Sequence, residues 1–194
     1  MILGITGGTG CGKSTLLQVI AEAGGVVIDC DKVYHDLLDT DTALLNAIDA
    51  RFPGVVEAGQ LDRKKLGATV FYDKAALEDL NKITHAAVKQ EVLRLLTPMP
   101  KLAAIDAIGL FESGLDKLCH ITVAVTAPEA ERVRRLMARD NIPEAYAKAR
   151  IAAQKKNEEY AALCQKHLVN DGTKDQFREK CLAFLQESGI IKDE

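Results

Sequence analysis

Residues 1–15 are Met1-Ile2-Leu3-Gly4-Ile5-Thr6-Gly7-Gly8-Thr9-Gly10-Cys11-Gly12-Lys13-Ser14-Thr15. The first six form a short apolar run, which is typical of a buried strand. The stretch from Gly7 to Ser14 matches G-x-x-x-x-G-K-[ST], the phosphate-binding loop, and residues with helical apolar spacing follow it. Because the motif stands between a strand and a helix, the stretch predicts a nucleoside triphosphate site.

Each residue type in this loop has a physical reason. Glycine lets successive backbone N–H groups turn toward one anion, and the next helix adds unpaired N–H groups and a partial positive charge at its N-terminus. We expect Lys13 to reach the β- and γ-phosphates and Ser14 to ligate Mg²⁺. A glycine-rich turn with a chance lysine is the alternative, and the flanking strand and helix favour the phosphate loop.

Composition indicates one globular domain. The chain has 194 residues, of which 47% are hydrophobic, and its net charge is −3. This charge argues against a general nucleic-acid-binding surface, and no apolar run is long enough to span a membrane, so we expect neither partner. The chain starts directly on a strand, which predicts no secretory signal and a cytoplasmic protein.

The cysteine pattern also favours the cytoplasm. The five cysteines form no C-x-x-C pair and lack metal-ligand spacing, so we expect reduced thiols at Cys11, Cys30, Cys119, Cys164 and Cys181. Cys11 lies inside the anion-binding loop, where a thiol pKa could be lowered. We favour the simpler interpretation of a small residue that fills a tight loop.

The next segments complete a βαβ unit, which predicts a parallel sheet. A helix is expected over residues 14–23, Gly24-Gly25 ends it, and Val26-Val27-Ile28 is expected to be a fully buried strand. Asp29 and Asp31 leave this strand at the edge where ligands of such sheets bind, and two-residue alternation would point both carboxylates the same way. Asp31 is either a helix N-cap or a general base for an acceptor hydroxyl.

Residues 32–100 are predicted to be mainly helical, without a strong strand. The candidate helices cover residues 32–38, 41–50, 63–71 and 77–96. This block is too long for a simple crossover, so we expect a helical insertion on the acceptor side. From the residues alone, Arg63 is most simply part of a solvated basic face, and His85 a packing or surface residue.

Two further strands are predicted at residues 102–106 and 121–125. The first ends in Asp106, the pattern of a strand whose terminal carboxylate binds Mg²⁺ directly or through water. Glu112 follows this strand and is expected near the same ligand-binding edge.

The segment after the second of these strands has the pattern of a lid. A helix over residues 129–139 places Arg132, Arg135 and Arg139 on one face, and after a break we expect a long polar helix over 144–166. Such a face is ordinarily just solvated, but two helices with arginines around a break also suit a lid that closes over a phosphate donor. The chain then predicts a strand at 167–169, a turn at Asn170 and a helix over 173–188.

Several motifs, in this order, resemble the dephospho-CoA kinase family over nearly the whole chain. The matching pieces are Gly4–Thr15, Val27–Asp31 with His35, Leu61–Leu66, the helix around His85, Leu110–Glu112, Arg135–Asp140, Ala152–Gln154 and Leu168–Gly172. The resemblance implies an α/β P-loop NTPase fold: a three-layer sandwich with a central parallel sheet, a helical substrate-binding insert and a helical lid. It divides the chain into a core (1–31, 101–128 and 167–194), an acceptor (CoA-binding) insert (32–100) and a lid (129–166).

The resemblance also implies a reaction and roles. ATP would phosphorylate the ribose 3′-hydroxyl of dephospho-CoA, giving coenzyme A and ADP, in the last step of coenzyme A synthesis. The implied catalytic residues are Lys13, Asp31 and Arg139, with Asp31 as the base and the other two stabilising charge.

The implied binding residues form three sets. ATP would be held by Gly10, Cys11, Gly12, Lys13, Ser14, Thr15, Arg139 and, near the adenine, Asn170. Dephospho-CoA would be held by Asp31, Arg63, His85 and Glu112, and Mg²⁺ by Ser14, with Asp106 as a candidate ligand through water. A monomer or a weak homo-oligomer is expected.

Two alternatives remain open on the residues alone. One is a kinase for another nucleoside or a small alcohol. The other is a GTP-binding switch, since Asp106-Ala107-Ile108-Gly109 fits D-x-x-G. Against the switch, Asn81-Lys82-Ile83-Thr84 lacks the aspartate that reads guanine and precedes Asp106, which is the wrong order.

Overall fold

The computed structural model of the chain describes residues 1–191. Its strands are β1 (Ile2–Thr6), β2 (Val26–Asp29), β3 (Val56–Glu57), β4 (Gln60–Leu61), β5 (Ala103–Asp106), β6 (Ile121–Thr126) and β7 (Lys166–Val169). Its helices are α1 (Lys13–Glu22), α2 (Cys30–Thr40), α3 (Thr42–Arg51), α4 (Arg63–Val70), α5 (Lys74–Leu95), α6 (Glu129–Asp140), α7 (Glu144–Ala152), α8 (Asn157–Leu163) and α9 (Lys174–Glu187).

Five strands form the main sheet, in the order β2-β5-β1-β6-β7. The central strand β1 is buried along its whole length and pairs in parallel with β5 and β6, and β6 pairs in parallel with β7. Ile5 lies opposite both Asp106 and Val123, so β1 and β5 end at the same edge of the sheet. The predicted α/β class with a parallel sheet is therefore confirmed, and Asp106 lies beside the start of the loop at residues 7–14.

The chain divides into two compact units. The first comprises residues 1–28 and the chain from residue 99 onward, and the second comprises residues 29–98. The core of the first is one apolar cluster from the sheet, α1 and α9, in which Leu3, Leu16 and Leu185 are fully buried. The second unit has its own cluster from α2 to α5, centred on Ile48. The roles predicted for residues 32–100 and 129–166 stay predictions.

The strand β2 differs from the expectation of a fully buried strand. Val26 is 43% exposed and Val27 is 36% exposed, whereas Ile28 is buried. The reason is position, because β2 is the outermost strand of the sheet on its side. A short run of β-branched residues has the same pattern in a central strand and at an edge, so composition alone did not distinguish them.

The backbone after β2 also departs from the prediction. The carboxylate of Asp29 accepts the N–H groups of Asp31 and Lys32, at 2.9 and 3.1 Å, and so caps the N-terminus of α2. Asp29 is therefore the N-cap, and Asp31 is not. Asp31 lies in the first turn of a helix, so the expectation that it continues an extended strand, from which two-residue alternation was argued, was wrong.

The second unit contains the four predicted helices with shifted ends, and in addition a hairpin that was not predicted. Strands β3 and β4 pair in antiparallel fashion across Ala58 and Gly59, whose φ angles are +50° and +76°. Positive φ at both loop residues is typical of a type I′ turn, which favours Asn-Gly or Asp-Gly. Alanine at the first position hid this turn from sequence reasoning.

The predicted lid segment also folds differently in part. A single helix over 144–166 was wrong, because α7 ends at Ala152 and α8 begins at Asn157. Glu159 accepts the N–H of Lys156 and so helps to start α8 after the break. Val133 and Leu136 of α6 pack against Ala147 and Ile151 of α7 in a separate small cluster.

The C-terminal elements agree with the sequence pattern. Strand β7 lies where residues 167–169 were predicted, one residue longer at its start, and Thr173 caps α9. The predicted core segment 167–194 ends in residues 192–194, which lie outside the described residues. Within residues 1–191, none of the helices combines the length and the apolar character needed to cross a membrane.

The N-cap of α3 offers a test of the second unit. The Asp41 carboxylate accepts the N–H groups of Ala43 and Leu44, at 2.9 and 3.1 Å. Asp41→Ala should lower the free energy of unfolding by about 1 kcal/mol, because one helix end loses its acceptor. Asp41→Asn, which keeps an acceptor oxygen, should stay within about 0.5 kcal/mol of the parent in urea titrations. Equal losses in the two variants would contradict this role.

Candidate phosphate-binding site

The loop between β1 and α1 has the backbone that its sequence predicts. Gly10 and Gly12 have φ angles of +77° and +92°, in the left-handed region that favours glycine. The Cys11 N–H donates to the Gly8 carbonyl at 3.3 Å, which closes a tight turn at the tip of the loop. The Thr15 N–H donates to the Gly12 carbonyl at 3.1 Å, whereas the N–H groups of Lys13 and Ser14 have no acceptor within the helix, so the loop and the helix start together can bind an anion.

Two of the glycines are required by neighbouring side chains. A Cβ at Gly8 would lie 2.2 Å from Nη2 of Arg132, and one at Gly12 would lie 2.2 Å from Nδ2 of Asn170. Both distances are far below van der Waals contact. The loop therefore takes its shape from packing against α6 and the turn after β7 as well as from its own φ angles.

Arg132 anchors this loop from α6. Its side chain is buried, with 3% of the residue exposed. Nε donates to the Thr9 carbonyl at 2.9 Å, and Nη2 donates to Oε1 of Gln154 at 3.2 Å. Thus the face of α6 that carries the arginines is only partly exposed to solvent. Arg132, the first arginine on this face, points to the loop.

Arg135 and Asn170 hold the other side of the loop. Nη1 of Arg135 donates to the carbonyls of Gly10 and Cys11, at 3.3 and 3.4 Å. Asn170 is 5% exposed, donates from Nδ2 to the Cys11 carbonyl at 2.9 Å and accepts from Arg135 at 3.2 Å. The structure thus brings Asn170 to the loop, and both ends of its side-chain amide are occupied there.

Lys13 and Asp106 lie together at the carboxyl ends of β1 and β5. Nζ of Lys13 donates to the Gly7 carbonyl at 3.0 Å and lies 3.9 Å from Oδ1 of Asp106. Ser14, the second residue of α1, is exposed at the same loop. This arrangement supplies one cation, one carboxylate and one hydroxyl beside the predicted phosphate position.

These oxygens fit a magnesium ion held mainly by phosphate. Mg²⁺ prefers oxygen ligands and is ordinarily bound by one or two protein groups together with substrate phosphates and water. Ser14 and Asp106 offer such groups. Within residues 1–191, no cluster of three or more His, Cys, Asp or Glu side chains is placed to hold a metal ion.

Cys11 is fully buried inside the loop. Burial raises the pKa of its thiol, and the nearby Arg132 and Lys13 oppose that rise only in part. A buried neutral thiol is a poor nucleophile, so the geometry favours a residue that fills the loop. Its carbonyl has a clearer part, because it accepts from both Arg135 and Asn170.

Arg139 has different surroundings from the other two arginines of α6. Its side chain is 60% exposed, and its guanidinium donates to both carboxylate oxygens of Asp140, at 2.7 and 2.9 Å. These bonds, with a further one from Arg150, hold the pKa of Asp140 well below its usual range. The hydrogen bonds of Arg139 therefore go to Asp140 rather than to the loop.

Glu112 lies in the turn that follows β5 and forms an ion pair with Lys155, from the break between α7 and α8. Both side chains are partly exposed. The pair joins the predicted ligand edge of the sheet to the predicted lid segment.

Asp31, Arg63 and His85 lie in the second unit. Arg63, the first residue of α4, contacts Asp39 and His35 at 3.4 Å each, and lines a cleft of about 340 Å³. His85 is half-buried on α5, and burial lowers its pKa, so its imidazole is neutral at pH 7. Asp31 is exposed at the start of α2.

Sequence reasoning left several loop contacts out of the site. Arg132 and Arg135 were placed on the arginine face of the predicted lid, and Arg135 and Gln154 also lay in motifs of the family resemblance, but none was given a contact with the loop, to which all three bond. The spacing of the arginines on one face was a usable signal. For Gln154 the motif Ala152–Gln154 marked the residue but not its contact with Thr9, which depends on the break between α7 and α8.

Comparison with known proteins identifies the family of this fold and loop. A family model described as Dephospho-CoA kinase matches residues 1–176. The dephospho-CoA kinase of Carboxydothermus hydrogenoformans is 35% identical over 192 residues, which cover 96% of this chain and 93% of that protein.

Solved structures agree. The dephospho-CoA kinase from Campylobacter jejuni has a TM-score of 0.69 at 27% identity, with 98% of each chain covered. A crystal structure of a protein from Thermus thermophilus has a TM-score of 0.80 at 32% identity and covers 96% of this chain and 97% of that one.

The close approach at Gly8 can be tested directly. Gly8 does not have positive φ, so alanine suits its backbone, but the added Cβ would meet the buried Arg132. Gly8→Ala should weaken ATP binding by about tenfold or more, because overpacking here displaces the loop. The matched control is Gly67→Ala in α4, where a Cβ meets nothing within 4 Å. Calorimetric ATP affinities within twofold of each other in both variants would refute this packing role.

Proposed function

The chain belongs to the dephospho-CoA kinase family, and we propose that Lys13, Asp31 and Arg139 carry its phosphoryl-transfer chemistry. The family resemblance predicted from the sequence is thereby confirmed. The protein is a phosphotransferase that uses ATP, and it acts in the final step of coenzyme A synthesis. The observation that supports the proposed residue roles is the loop at residues 7–14, with Lys13 and Asp106 together at its base.

The proposed reaction transfers the γ-phosphoryl group to the ribose 3′-hydroxyl of dephospho-CoA. A bond forms between the 3′-oxygen and the γ-phosphorus, and the bond from that phosphorus to the β–γ bridging oxygen breaks, which leaves ADP. The hydroxyl proton passes to the Asp31 carboxylate and then to solvent. Asp31 suits this role because it is exposed and its backbone is fixed by the Asp29 cap.

The donor is held by the loop. Backbone N–H groups of Gly10, Gly12 and Ser14 surround the phosphates, and Lys13 turns from the Gly7 carbonyl to the β- and γ-oxygens. Cys11 and Thr15 are proposed to line the ATP site, where their own N–H groups already donate to the carbonyls of Gly8 and Gly12. Bound Mg²⁺ would neutralise charge on the β- and γ-phosphates, and Ser14 would hold it, with Asp106 acting through water.

Arg139 completes the charge balance in this proposal. Its guanidinium is partly exposed and is held by Asp140, a pairing of modest strength at a surface. We expect the Arg139 guanidinium to leave Asp140 and to bind oxygens of the transferring phosphoryl group. Arg132 and Arg135 cannot substitute, because their donors are already committed to the loop and its neighbours.

Three further residues are proposed to contact dephospho-CoA. Arg63 provides a cation beside a cleft. His85 provides a neutral imidazole, which can both donate and accept a hydrogen bond. Glu112 provides a carboxylate whose partner is Lys155. The adenine of ATP is proposed to lie near the turn at Asn170, whose side chain fixes Cys11 and Arg135. The predicted cytoplasmic location and the monomeric or weakly oligomeric state stay predictions.

The reaction itself is tested by product analysis. Purified protein with ATP, Mg²⁺ and dephospho-CoA should yield ADP and a product one phosphate heavier, with the phosphate at the ribose 3′-position by ³¹P NMR. GTP in place of ATP, and adenosine or pantetheine in place of dephospho-CoA, should support much lower rates. Phosphorylation of another alcohol with dephospho-CoA left unchanged would overturn the proposal, as would tight GTP binding without transfer.

The role of Asp31 is tested by an isosteric change. Asp31→Asn should lower kcat by about 10²–10⁴-fold, because the amide cannot take the hydroxyl proton, while ATP affinity stays within about twofold. Asp36→Asn, an exposed aspartate on the same helix, is the matched control and should keep the parent rate. A near-normal kcat in Asp31→Asn would remove this residue from the chemistry.

A further inference from the structure

Both backbone groups of Thr9 are held by side chains from far along the chain. Its N–H donates to Oε1 of Gln154 at 2.8 Å, and its carbonyl accepts from Nε of Arg132 at 2.9 Å. The same Oε1 of Gln154 accepts from Nη2 of Arg132 at 3.2 Å. Thr9, Gln154 and Arg132 therefore form a closed ring of three hydrogen bonds, which we call the Thr9 ring.

The Thr9 ring acts on the turn at the tip of the loop. The Cys11 N–H donates to the Gly8 carbonyl, so Thr9 and Gly10 are the central residues of a four-residue turn. Gly10 has φ +77°, as the third residue of a type II turn requires. Such a turn differs from the commoner type I mainly in the direction of the peptide between its two central residues.

That peptide is the one that Arg132 fixes. A peptide unit is planar and trans, so its carbonyl oxygen and its N–H point in opposite directions. Since Arg132 holds the Thr9 carbonyl on its own side, the Gly10 N–H must point to the other side. Gln154 fixes the preceding peptide in the same way through the Thr9 N–H.

The residues around the Thr9 ring hold Arg132 in one position. Arg132 is 3% exposed, and two of its guanidinium nitrogens donate to the neutral oxygens of Thr9 and Gln154. Its remaining bond goes to Oδ1 of Asn157, at 3.5 Å, and Asn157 itself donates to the Ala127 carbonyl at 2.8 Å. A buried guanidinium bonded to neutral oxygens leaves its positive charge available to an anion at the loop.

We infer that Gln154 and Arg132 are positioning residues for ATP, which set the direction of the Gly10 N–H by holding both backbone groups of Thr9. This inference rests on the proposed function of the loop as the ATP phosphate site. The break between α7 and α8 then contributes to ATP binding, because it places Gln154 at Thr9.

The test removes the acceptor and keeps the size. Gln154→Leu leaves the Thr9 N–H without a partner, so the KM for ATP should rise about tenfold, while the KM for dephospho-CoA stays within twofold. The amide hydrogen of Thr9 should exchange with solvent at least about tenfold faster in the free protein. Gln154→Glu keeps an acceptor oxygen and should restore slow exchange at Thr9. If Gln154→Leu does not fold, Gln154→Ala is measured in its place.

The chain offers a matched control for this change. Oε1 of Gln165 accepts the N–H of Thr122 at 2.9 Å, which is the same kind of bond at the start of β6, far along the chain from the loop. Gln165→Leu should lower the melting temperature by about as much as Gln154→Leu does. It should leave the KM for ATP unchanged.

Three outcomes would overturn the inference. The first is a KM for ATP within twofold of the parent in Gln154→Leu, and the second is an equal rise in both KM values. The third is an unchanged exchange rate at Thr9. In each case the parent protein would still convert dephospho-CoA, so the proposed function would stand. Failure of the parent to phosphorylate dephospho-CoA would instead contradict that function.

Discussion

A loop that binds phosphate through its backbone must keep several N–H groups unpaired and aimed at one point. Unpaired groups of this kind ordinarily favour rearrangement, since each can gain a hydrogen bond by turning elsewhere. In this chain, carbonyls of Thr9, Gly10 and Cys11 are bound from outside by Arg132, Arg135 and Asn170. Because the carbonyls of Thr9 and Cys11 are held, the N–H groups of Gly10 and Gly12 are held as well, in the opposite direction, while the Cys11 N–H closes the turn on Gly8.

This constraint explains the glycines better than flexibility does. Gly8 does not have positive φ. It must be glycine because a Cβ there would overlap the guanidinium of Arg132. Gly10 and Gly12 combine left-handed φ with close approaches, to the backbone of Arg132 and to the amide of Asn170 respectively. Thus the same anchors that orient the loop also leave no room for side chains in it. The loop is joined to the buried cluster of β1, α1 and α9 through Cys11, which belongs to that cluster.

The local parts of the structure could be predicted from the sequence, and the long-range parts could not. The phosphate loop, the strands β5 and β6 and the helices of the second unit follow from periodicity and from residues near one another in the chain. The identity of the N-cap at α2 did not follow, because Asp29 and Asp31 both fit the rule for one. The break at residues 153–156 was missed, since its polar residues have good helix propensity, and the bond from Thr9 to Gln154 spans 145 residues.

The three arginines on one face of α6 show how tertiary contacts divide a uniform pattern. Arg132 is buried, the Arg135 side chain is 24% exposed and that of Arg139 is 60% exposed, so exposure rises along the helix away from the loop. A guanidinium that is fully hydrogen-bonded to the protein fixes geometry, whereas one held only by a surface carboxylate can change partners at little cost. Arg132 and Arg135 of this helix are therefore bonded to the phosphate loop, whereas Arg139, one turn further on, is bonded to Asp140. Sequence spacing correctly placed the three charges on one face, but it could not show that two of them are bonded at the loop and that the third is bonded to Asp140.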